Sequence, residues 1–343
     1  MTISTAVSEV TLRPYSEADE RAALDLLVAS LGDGPAGRRP PEYFRWKHYE
    51  NPFGRSFMLV AEAAGEIVGL RALMRWQLAT DGVPVRAVRA VDTATHPQWQ
   101  GKGLFTRLTL EAIDRLRDEA DLIFNTPNEK SLPGYLKMGW RVAGKVPISV
   151  KVRRPVRFAR HARELRRPGL PGGRRPSIDA PPASEVLALA GVGALLAGTE
   201  RVGRPLATPR SQLYLNWRYA AAPLLDYRAV VSERSGAVVG VGIFRVRPRG
   251  ALWETTVCEV ITAPGDRAAC RDLLRAIAAS VRVDHMTSHF PSGSVAARAL
   301  RGRGFLPSPT GMTFVVNPLR DALPLDPEKL GSWALSLGDL EVF

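Results

Sequence analysis

Apolar and polar residues along the first half of the chain switch between helical and strand periodicity. After Ser16, apolar residues recur every three or four positions, which predicts a helix. Residues 57–79 alternate as two strands around a tight turn at Ala64-Gly65, which predicts a β-hairpin. A further strand is predicted over Val85–Thr95. Between the first helix and the hairpin, the aromatic-rich segment 41–52 is typical of a short helix.

The pattern continues with alternating helices and strands. A helix is predicted from Leu104, a short buried strand over Asp121–Asn125, and a helix from Thr126 to Met138 with Gly139 as its C-terminal stop. Residues 140–152 read as a pair of strands. Helices that alternate with strands around a hairpin indicate a mixed α/β domain.

The same landmarks recur in the second half of the chain. Residues 214–223 repeat the segment 43–52: in both, Tyr precedes Trp by three, a cation follows Trp, and Pro comes six after it. A hairpin at Ser235-Gly236, a strand over Leu252–Ile261 and a helix from Asp266 to Val281 then follow in the same order. We therefore predict an internal duplication. The predicted domains are 9–154, a connector 155–205, a second copy 206–318 and a tail 319–343, which we expect to dock as an extended strand.

Composition indicates a soluble globular protein, with 45% hydrophobic and 24% charged residues. No apolar run is long enough to span a bilayer, and the N-terminus lacks the pattern of a signal peptide. The two cysteines, Cys258 and Cys270, lack metal-binding spacing and read as buried thiols in a reducing compartment. The chain is predicted to be cytoplasmic, without a metal.

Most of the net charge of +13 lies in one segment. Residues 1–150 carry a net charge of +1, whereas residues 151–175 carry +9, and Val156–Arg167 within them predicts a basic helix. The basicity therefore belongs to the connector, and any nucleic acid or anionic membrane would bind there. A solvated helix between domains is the plainer interpretation.

The candidate chemistry lies in the first half, between Val91 and Phe105. A strand leads into a loop with Gly101 and Gly103, and the loop opens a helix at Leu104. The free N–H groups and the dipole of a helix N-terminus attract a phosphate, and glycines allow close approach of the backbone. A simple strand–turn–helix junction would have the same pattern.

This loop, Gln100-Gly101-Lys102-Gly103-Leu104-Phe105, resembles the pyrophosphate loop of the GNAT acyltransferases, Gln/Arg-x-x-Gly-x-Gly/Ala. Phe105 departs from the pattern, which has a small residue there. Asn128, Tyr135 and Gly139-Trp140 resemble the family's Asn-x₆-Tyr helix and the Gly-aromatic pair that follows it. The resemblance implies tandem GNAT folds, each a mixed, mostly antiparallel sheet flanked by helices. It covers residues 9–152 by motif and 206–317 by architecture.

The resemblance also implies roles for single residues. Backbone groups of Thr93, Ala94 and Thr95 would pair with the pantetheine arm of acetyl-CoA, in a gap made by a bulge, and Asn128 would contact the arm near its thiol. Tyr135 would donate a proton to the departing thiolate. The pyrophosphate would be held by the loop and the helix start: Gln100, Gly101, Lys102, Gly103, Leu104, Phe105 and Thr106.

An amine nucleophile must lose a proton before it attacks a thioester, so a base or a water chain is needed. Asp92, next to Thr93, is our candidate; a solvent-facing or capping carboxylate is the competing interpretation. His96 and His48 are further candidates, although a turn residue and a packed surface histidine are the commoner cases. The first copy has no cysteine, so we expect direct transfer in a ternary complex.

The second copy lacks this chemistry. Where the glycine loop would recur it has Ile261–Asp266, with one glycine and a carboxylate, and Leu300 stands in the place of Tyr135. The resemblance therefore implies an enzyme whose first copy is the N-acetyltransferase, with acetyl-CoA or another acyl-CoA as co-substrate and a small amine such as an amino sugar as acceptor. An aminoacyl-tRNA-dependent peptide transferase on the same tandem fold and a non-catalytic binding module are the alternatives. The sequence leaves the oligomeric state open.

Overall fold

The structure is a computed structural model that describes residues 10–32, 39–164, 174–199 and 205–340. Its strands in chain order are β1 (Thr11–Pro14), β2 (Phe57–Ala63), β3 (Glu66–Thr80), β4 (Val83–Thr95), β5 (Leu122–Asn125), β6 (Arg141–Val146), β7 (Ser149–Val152), β8 (Tyr227–Arg234), β9 (Ala237–Arg249), β10 (Leu252–Thr262), β11 (His285–Ser288), β12 (Leu306–Pro307) and β13 (Met312–Pro318).

Helices flank these strands throughout the described part of the chain. They are α1 (Glu20–Leu31), α2 (Pro41–His48), α3 (Leu104–Leu116), α4 (Leu132–Lys137), α5 (Pro155–His161), α6 (Ala183–Leu187), α7 (Ala190–Ala197), α8 (Gln212–Leu215), α9 (Arg267–Ser280), α10 (Val295–Gly302) and α11 (Leu337–Leu340). A π-helical turn, Asn216–Ala220, continues α8. None of the helices in these ranges is long and apolar enough to cross a bilayer.

The strands form two sheets that share one strand order. The first sheet runs β1-β2-β3-β4-β5-β13-β6, and the second runs β8-β9-β10-β11-β7-β12 when read from the opposite edge. Each contains one parallel pair, β4 with β5 and β10 with β11, among antiparallel neighbours. The fold class predicted from the sequence, two mixed and mostly antiparallel sheets flanked by helices, is confirmed.

The two halves exchange one strand each. Strand β13, from the second half, lies between β5 and β6 of the first sheet, and β7, from the first half, lies between β11 and β12 of the second. The pair predicted over residues 140–152 therefore separates, because β6 and β7 enter different sheets. The proposed domain limits stay a prediction, and hydrogen bonding in both sheets crosses them.

The apolar core has three parts. One part fills the space between the halves and contains side chains of both, including Trp46, Trp217, Phe314 and Trp333. The second lies under α3 and α4 of the first half, and the third lies under α9 and α10 of the second half. Each sheet is therefore covered on both faces, which explains why its central strands, such as β3 and β10, are almost continuously buried.

Three local predictions need correction. The helix expected from Thr126 begins at Leu132, because Asn128 first forms a turn and Pro133 lies in the first turn of α4. The tail expected as an extended strand forms α11, whose buried end satisfies its backbone groups in a helical turn. Of the predicted basic helix, α5 covers Pro155–His161; residues 165–167 lie outside the described residues.

Candidate active site

The site is built around a β-bulge in the first sheet. Leu70 of β3 pairs with Ala94 of β4, whereas Ala72 pairs with Val91, so Asp92 and Thr93 together oppose the single residue Arg71. Asp92 has a φ of 39°, a left-handed backbone that a bulge tolerates and a regular strand does not.

A gap opens beside this bulge. Strand β4 pairs with β5 only over residues 87–89, against residues 122–124. β5 then ends at Asn125, while β4 continues to Thr95. The edge of Thr93, Ala94 and Thr95 that faces β5 therefore lies beyond the paired region, and the addition of a coenzyme arm to this edge, which the resemblance implied, stays a prediction.

The start of α3 leaves its first N–H groups outside the helix. Gly101 and Gly103 have φ of 74° and 76°, and Gly103, at the N-cap, provides no side-chain cap. The first hydrogen bond of the helix runs from Arg107 N to Gly103 O, at 3.0 Å. The N–H groups of residues 104–106 thus precede the first turn, the arrangement that binds phosphate oxygens.

The side chains of the loop mostly organise the loop itself. Gln100 Nε2 donates to Thr95 O at 3.2 Å and so ties the loop to the end of β4. The Lys102 ammonium lies 4.7 Å from the centroid of the Trp99 ring, a cation–π contact at the surface. Leu104 is buried in the core under α3, and Thr106 is exposed.

Phe105, which departs from the family pattern, packs against α4. Its ring meets the Tyr135 ring edge-on, with centroids 5.5 Å apart and planes at 90°. A β-carbon at Gly134 would lie 3.0 Å from the Phe105 ring, so the glycine makes room for the larger side chain. The bulk of Phe105 is thus accommodated under α4.

Tyr135 is held at the bulge by a residue that the sequence analysis missed. Arg71 Nη1 donates to Tyr135 Oη at 2.9 Å and to Thr93 Oγ1 at 2.6 Å. The predicted acid and the predicted strand residue therefore share one guanidinium nitrogen. The available signal was Arg71 itself, which has apolar neighbours on both sides in β3, since charged residues are seldom fully buried.

Asp92 is engaged on the opposite face of the sheet. Its Oδ2 lies 2.6 Å from Lys47 Nζ and 3.1 Å from His48 Nε2, and its Oδ1 lies 3.4 Å from Arg39 Nη1. Burial raises the pKa of Asp92, but the charge of Lys47 and the hydrogen bond from His48 outweigh it and hold this pKa far below its usual range. Such a carboxylate accepts a proton poorly. The predicted base role is untested, and this geometry argues against it.

The two histidines proposed as alternatives have local partners. Burial lowers the pKa of His48 although Asp92 opposes the shift, so the ring is neutral at pH 7. Its Nε2 then donates to Asp92, and its Nδ1 accepts from Ser56 Oγ at 2.9 Å. His96 Nδ1 accepts from Gln98 N at 3.4 Å, as a residue of the turn.

Asn128 is exposed and holds the turn before α4. Its Oδ1 accepts from Lys130 N at 3.0 Å and from Ser131 N at 2.9 Å. This fixes the approach to the helix that carries Tyr135. The contact of Asn128 with a coenzyme arm stays a prediction.

In the second half, the corresponding places are occupied by protein. Asp266 Oδ1 caps α9 by accepting from Ala269 N at 2.9 Å, where the first half has an open helix start. The bulge of β10 carries Glu259, which accepts from Tyr219 Oη at 2.9 Å and from Ser336 Oγ at 2.8 Å, beside α11. The C-terminal segment with α11 thus occupies the place in the second half that corresponds to the bulge of the first half.

The start of the basic segment 151–175 is bound to the second half by its arginines. Arg157 Nη2 donates to Ala251 O at 3.1 Å, and Arg154 and Arg157 lie 3.7 and 3.5 Å from the buried carboxylate of Asp284. A surface cleft of about 470 Å³ lies between α5 and the end of α9, and Arg174 and Arg282 also line it.

Comparison with known proteins agrees with this geometry. Residues 11–143 match the model of the acetyltransferase (GNAT) domain family. No protein with a curated description matches the sequence.

Solved structures match most of the chain. A GCN5-related N-acetyltransferase from Anabaena variabilis ATCC 29413 is 12% identical, with a TM-score of 0.62, over 91% of this chain and 73% of that one. Eis1 from Mycobacterium abscessus is 13% identical, with a TM-score of 0.53, over 90% and 73%. N-myristoyltransferase from Saccharomyces cerevisiae, solved with bound myristoyl-CoA, is 13% identical, with a TM-score of 0.58, over 96% and 89%.

At these identities the structural likeness shows the fold, and the family model shows the domain. The resemblance inferred from the glycine loop and the Asn-x₆-Tyr helix is confirmed. Residues 11–143 carry an acetyltransferase (GNAT) domain, which identifies an acyltransferase, and the solved structures show that the chain as a whole has the fold of GNAT N-acetyltransferases.

Proposed function

We propose that the chain transfers an acetyl group from acetyl-CoA to the amine of a small acceptor, such as an amino sugar or a related natural product. The observation that carries the proposal is the convergence of three features: the splayed edge of β4, the uncapped start of α3, and the Tyr135 hydroxyl, which Arg71 joins to Thr93. In this proposal the edge of β4 pairs with the pantetheine thioester, the start of α3 binds the diphosphate, and Tyr135 protonates the leaving thiolate.

In this proposal the transfer is direct. The acceptor nitrogen attacks the thioester carbonyl, a C–N bond forms, and the C–S bond breaks. Tyr135 gives its hydroxyl proton to the sulfur, and the proton released by the amine restores the phenol through solvent, so protons balance. Both cysteines, Cys258 on β10 and Cys270 on α9, are buried in the second half, which supports a route without an acyl-cysteine.

Asp92 is better suited to hold the bulge than to take up the amine proton. Its ion pair with Lys47 joins α2 to β4 at the residue with the strained backbone. We propose that this pair sets the path of Thr93 and hence the gap.

Both cysteines are free thiols, and we propose a reducing, cytoplasmic location on that basis.

The test is a thiol-release screen of acetyl-CoA against amines, amino sugars and amino acids. Release that depends on an amine, with the acetylated product identified by mass spectrometry, would support the proposal. A longer or a charged acyl-CoA that reacts in place of acetyl-CoA would revise the donor. Thiol release that is independent of any amine, or absent although coenzyme A binds, would refute acetyl transfer to a small amine.

The tRNA-dependent alternative makes a different prediction, since binding to phosphates weakens steeply with salt. Arg153, Arg154 and Arg157, at the start of the basic segment 151–175, contact Ala278, Asp284 and Ala251, which supports a structural role for this part of the segment. Filter binding of tRNA at several salt concentrations would separate the two functions.

A further inference from the structure

Arg71 is a buried cation without a counter-ion. Its side chain is 0% exposed, and among the described residues no carboxylate lies within ion-pair distance. Its nearest partners are two neutral hydroxyls and the rings of Phe105 and Tyr135, whose centroids lie 5.8 and 5.4 Å from the guanidinium carbon. Its Nε and Nη2 have no hydrogen-bond partner in the described part of the chain.

Such an arrangement does not favour folding. Removing a charge from water is costly unless a partner compensates, and apolar residues of similar volume often replace buried charges without loss of stability. Methionine would fill much of the same space between β3 and α4. The arginine therefore calls for a functional explanation.

The hydrogen bonds of Arg71 dictate the direction of two hydroxyl protons. A guanidinium can only donate, so both Thr93 Oγ1 and Tyr135 Oη accept from Nη1. The Thr93 hydroxyl donates a hydrogen bond with its own proton to Val91 O, at 3.4 Å. The proton of Tyr135 is directed neither to Arg71 nor to Thr93 and stays available to another acceptor.

We propose that Arg71 is the positioning residue of the acyl-transfer step. It holds the Tyr135 oxygen as an acceptor, so that the phenolic proton points into the gap between β4 and β5, toward the sulfur of the thioester. When the O–H bond breaks and an S–H bond forms, the electron pair stays on the Tyr135 oxygen, 2.9 Å from a fixed positive charge. The Arg71 charge, which has no counter-ion among the described residues in the resting protein, is balanced at that moment by the negative charge on the Tyr135 oxygen. This role rests on the function proposed above.

A double-mutant cycle tests the coupling between the two residues. Arg71→Met is expected to lower kcat about 10- to 100-fold, with coenzyme A affinity within about threefold of wild type. In a Tyr135→Phe background, the same change should alter kcat by less than about threefold, because the hydroxyl through which Arg71 acts is gone. Arg71→Lys, which keeps a positive donor, should recover part of the loss.

Thermal unfolding supplies a readout that does not depend on activity. Arg71→Met should leave Tm unchanged or raise it, since an uncompensated buried charge is removed. Arg75→Met is the matched control: Arg75 lies four residues along β3 and pairs with Glu119, so this variant should keep the wild-type kcat.

The outcomes separate the two proposals. If Arg71→Met lowers Tm and abolishes coenzyme binding, or slows the reaction equally with and without the Tyr135 hydroxyl, Arg71 is structural and this inference fails alone. If the wild-type protein binds coenzyme A but does not cleave acetyl-CoA with any amine that is tried, the proposed function fails, and the role of Arg71 falls with it.

Discussion

Trp46 and Trp217, which are 171 residues apart, each donate their indole N–H to the other's backbone carbonyl, at 2.8 and 2.9 Å. Their rings stack with centroids 5.1 Å apart and planes at 22°. Both come from the repeated Tyr-x-x-Trp segment, so the two copies of that segment meet face to face in the inner core. The reciprocal contact fits an approximate twofold relation between the halves.

Trp217→Phe should therefore weaken the junction of the halves. The change leaves the buried carbonyl of Trp46 without its indole donor, and we expect a loss of about 1–3 kcal/mol in the free energy of unfolding. Trp253→Phe is the control, because the indole nitrogen of Trp253 has no partner among the described residues. Urea unfolding of both variants measures the difference, and equal losses would show that the reciprocal bonds contribute nothing particular.

Tyr135→Phe should slow turnover and spare binding. Removing a general acid lowers kcat by about 10²–10⁴-fold, whereas the ring that packs on Phe105 and Trp140 remains. Steady-state kinetics and calorimetry with coenzyme A give the two numbers. An unchanged kcat would show that the thiolate leaves without help from this hydroxyl.

Gly103→Val should weaken coenzyme A binding. Gly103 has a φ of 76°, and a β-carbon at this position would meet no atom of the described residues within 4 Å, so the variant is strained by its backbone and not by a clash. A shift of the backbone that relieves this strain would reorient the N–H groups at the start of α3, which are the proposed diphosphate donors. We therefore expect coenzyme A to bind roughly tenfold more weakly. Gly65→Val has the same backbone problem at φ 80°, in the β2–β3 turn. It should cost stability without changing affinity, and calorimetry on both variants distinguishes the loop from a general effect.

Asp92→Asn should destabilise the protein more than it changes the chemistry. The variant leaves Lys47 as a buried charge without its carboxylate, a change that costs about 3–5 kcal/mol. Combining it with Lys47→Met should restore Tm, because the buried ammonium is removed as well, but should recover acetyl transfer only in part, because the pair that sets the path of Thr93 is still absent. Full recovery of acetyl transfer in the stable double variant would show that the protein needs neither this pair nor a base at Asp92.

Stability should fall as the pH drops below about 6.5, the ordinary pKa of histidine. His48 has a lowered pKa in the folded state, so the unfolded chain binds its proton first as the pH decreases. The contribution of His48 to stability is therefore present above its unfolded pKa of about 6.5, and it is lost as the pH falls toward the lowered pKa of the folded state. His48→Gln should flatten the dependence of Tm on pH between about pH 5 and 7. A slope identical to that of wild type would assign the dependence to other groups, such as His289, whose pKa burial also lowers.

Local signals in the sequence predicted most of the elements. The turn residues Ala64-Gly65 and Ser235-Gly236 mark both hairpins, and Gly101 and Gly103 adopt the left-handed backbone that only glycine enters easily. These features depend on neighbours along the chain, so one sequence is enough to read them.

The remaining features depend on distant partners. Nothing within residues 149–152 or 312–318 indicates which sheet each strand joins, because the backbone hydrogen bonds of a short strand can be made with a strand of either sheet. The positions of Arg71 and Asp92 on opposite faces of the bulge follow from a one-residue register shift, which is also invisible locally. The tail helix forms because Arg210 and Arg218 hold it, at the carboxylate of Asp339 and the carbonyl of Gly338.

The reciprocal position of β7 and β13 has an evolutionary consequence. A copy that has lost its own chemistry would ordinarily be free to decay or disappear from the gene. Here the second half supplies β13, the strand between β5 and β6 of the first sheet, and the first half supplies β7 to the second sheet. Truncating the gene after the first half would therefore remove a strand from the sheet that contains Thr93 and supports α4 with Tyr135, which gives selection a reason to keep the second half.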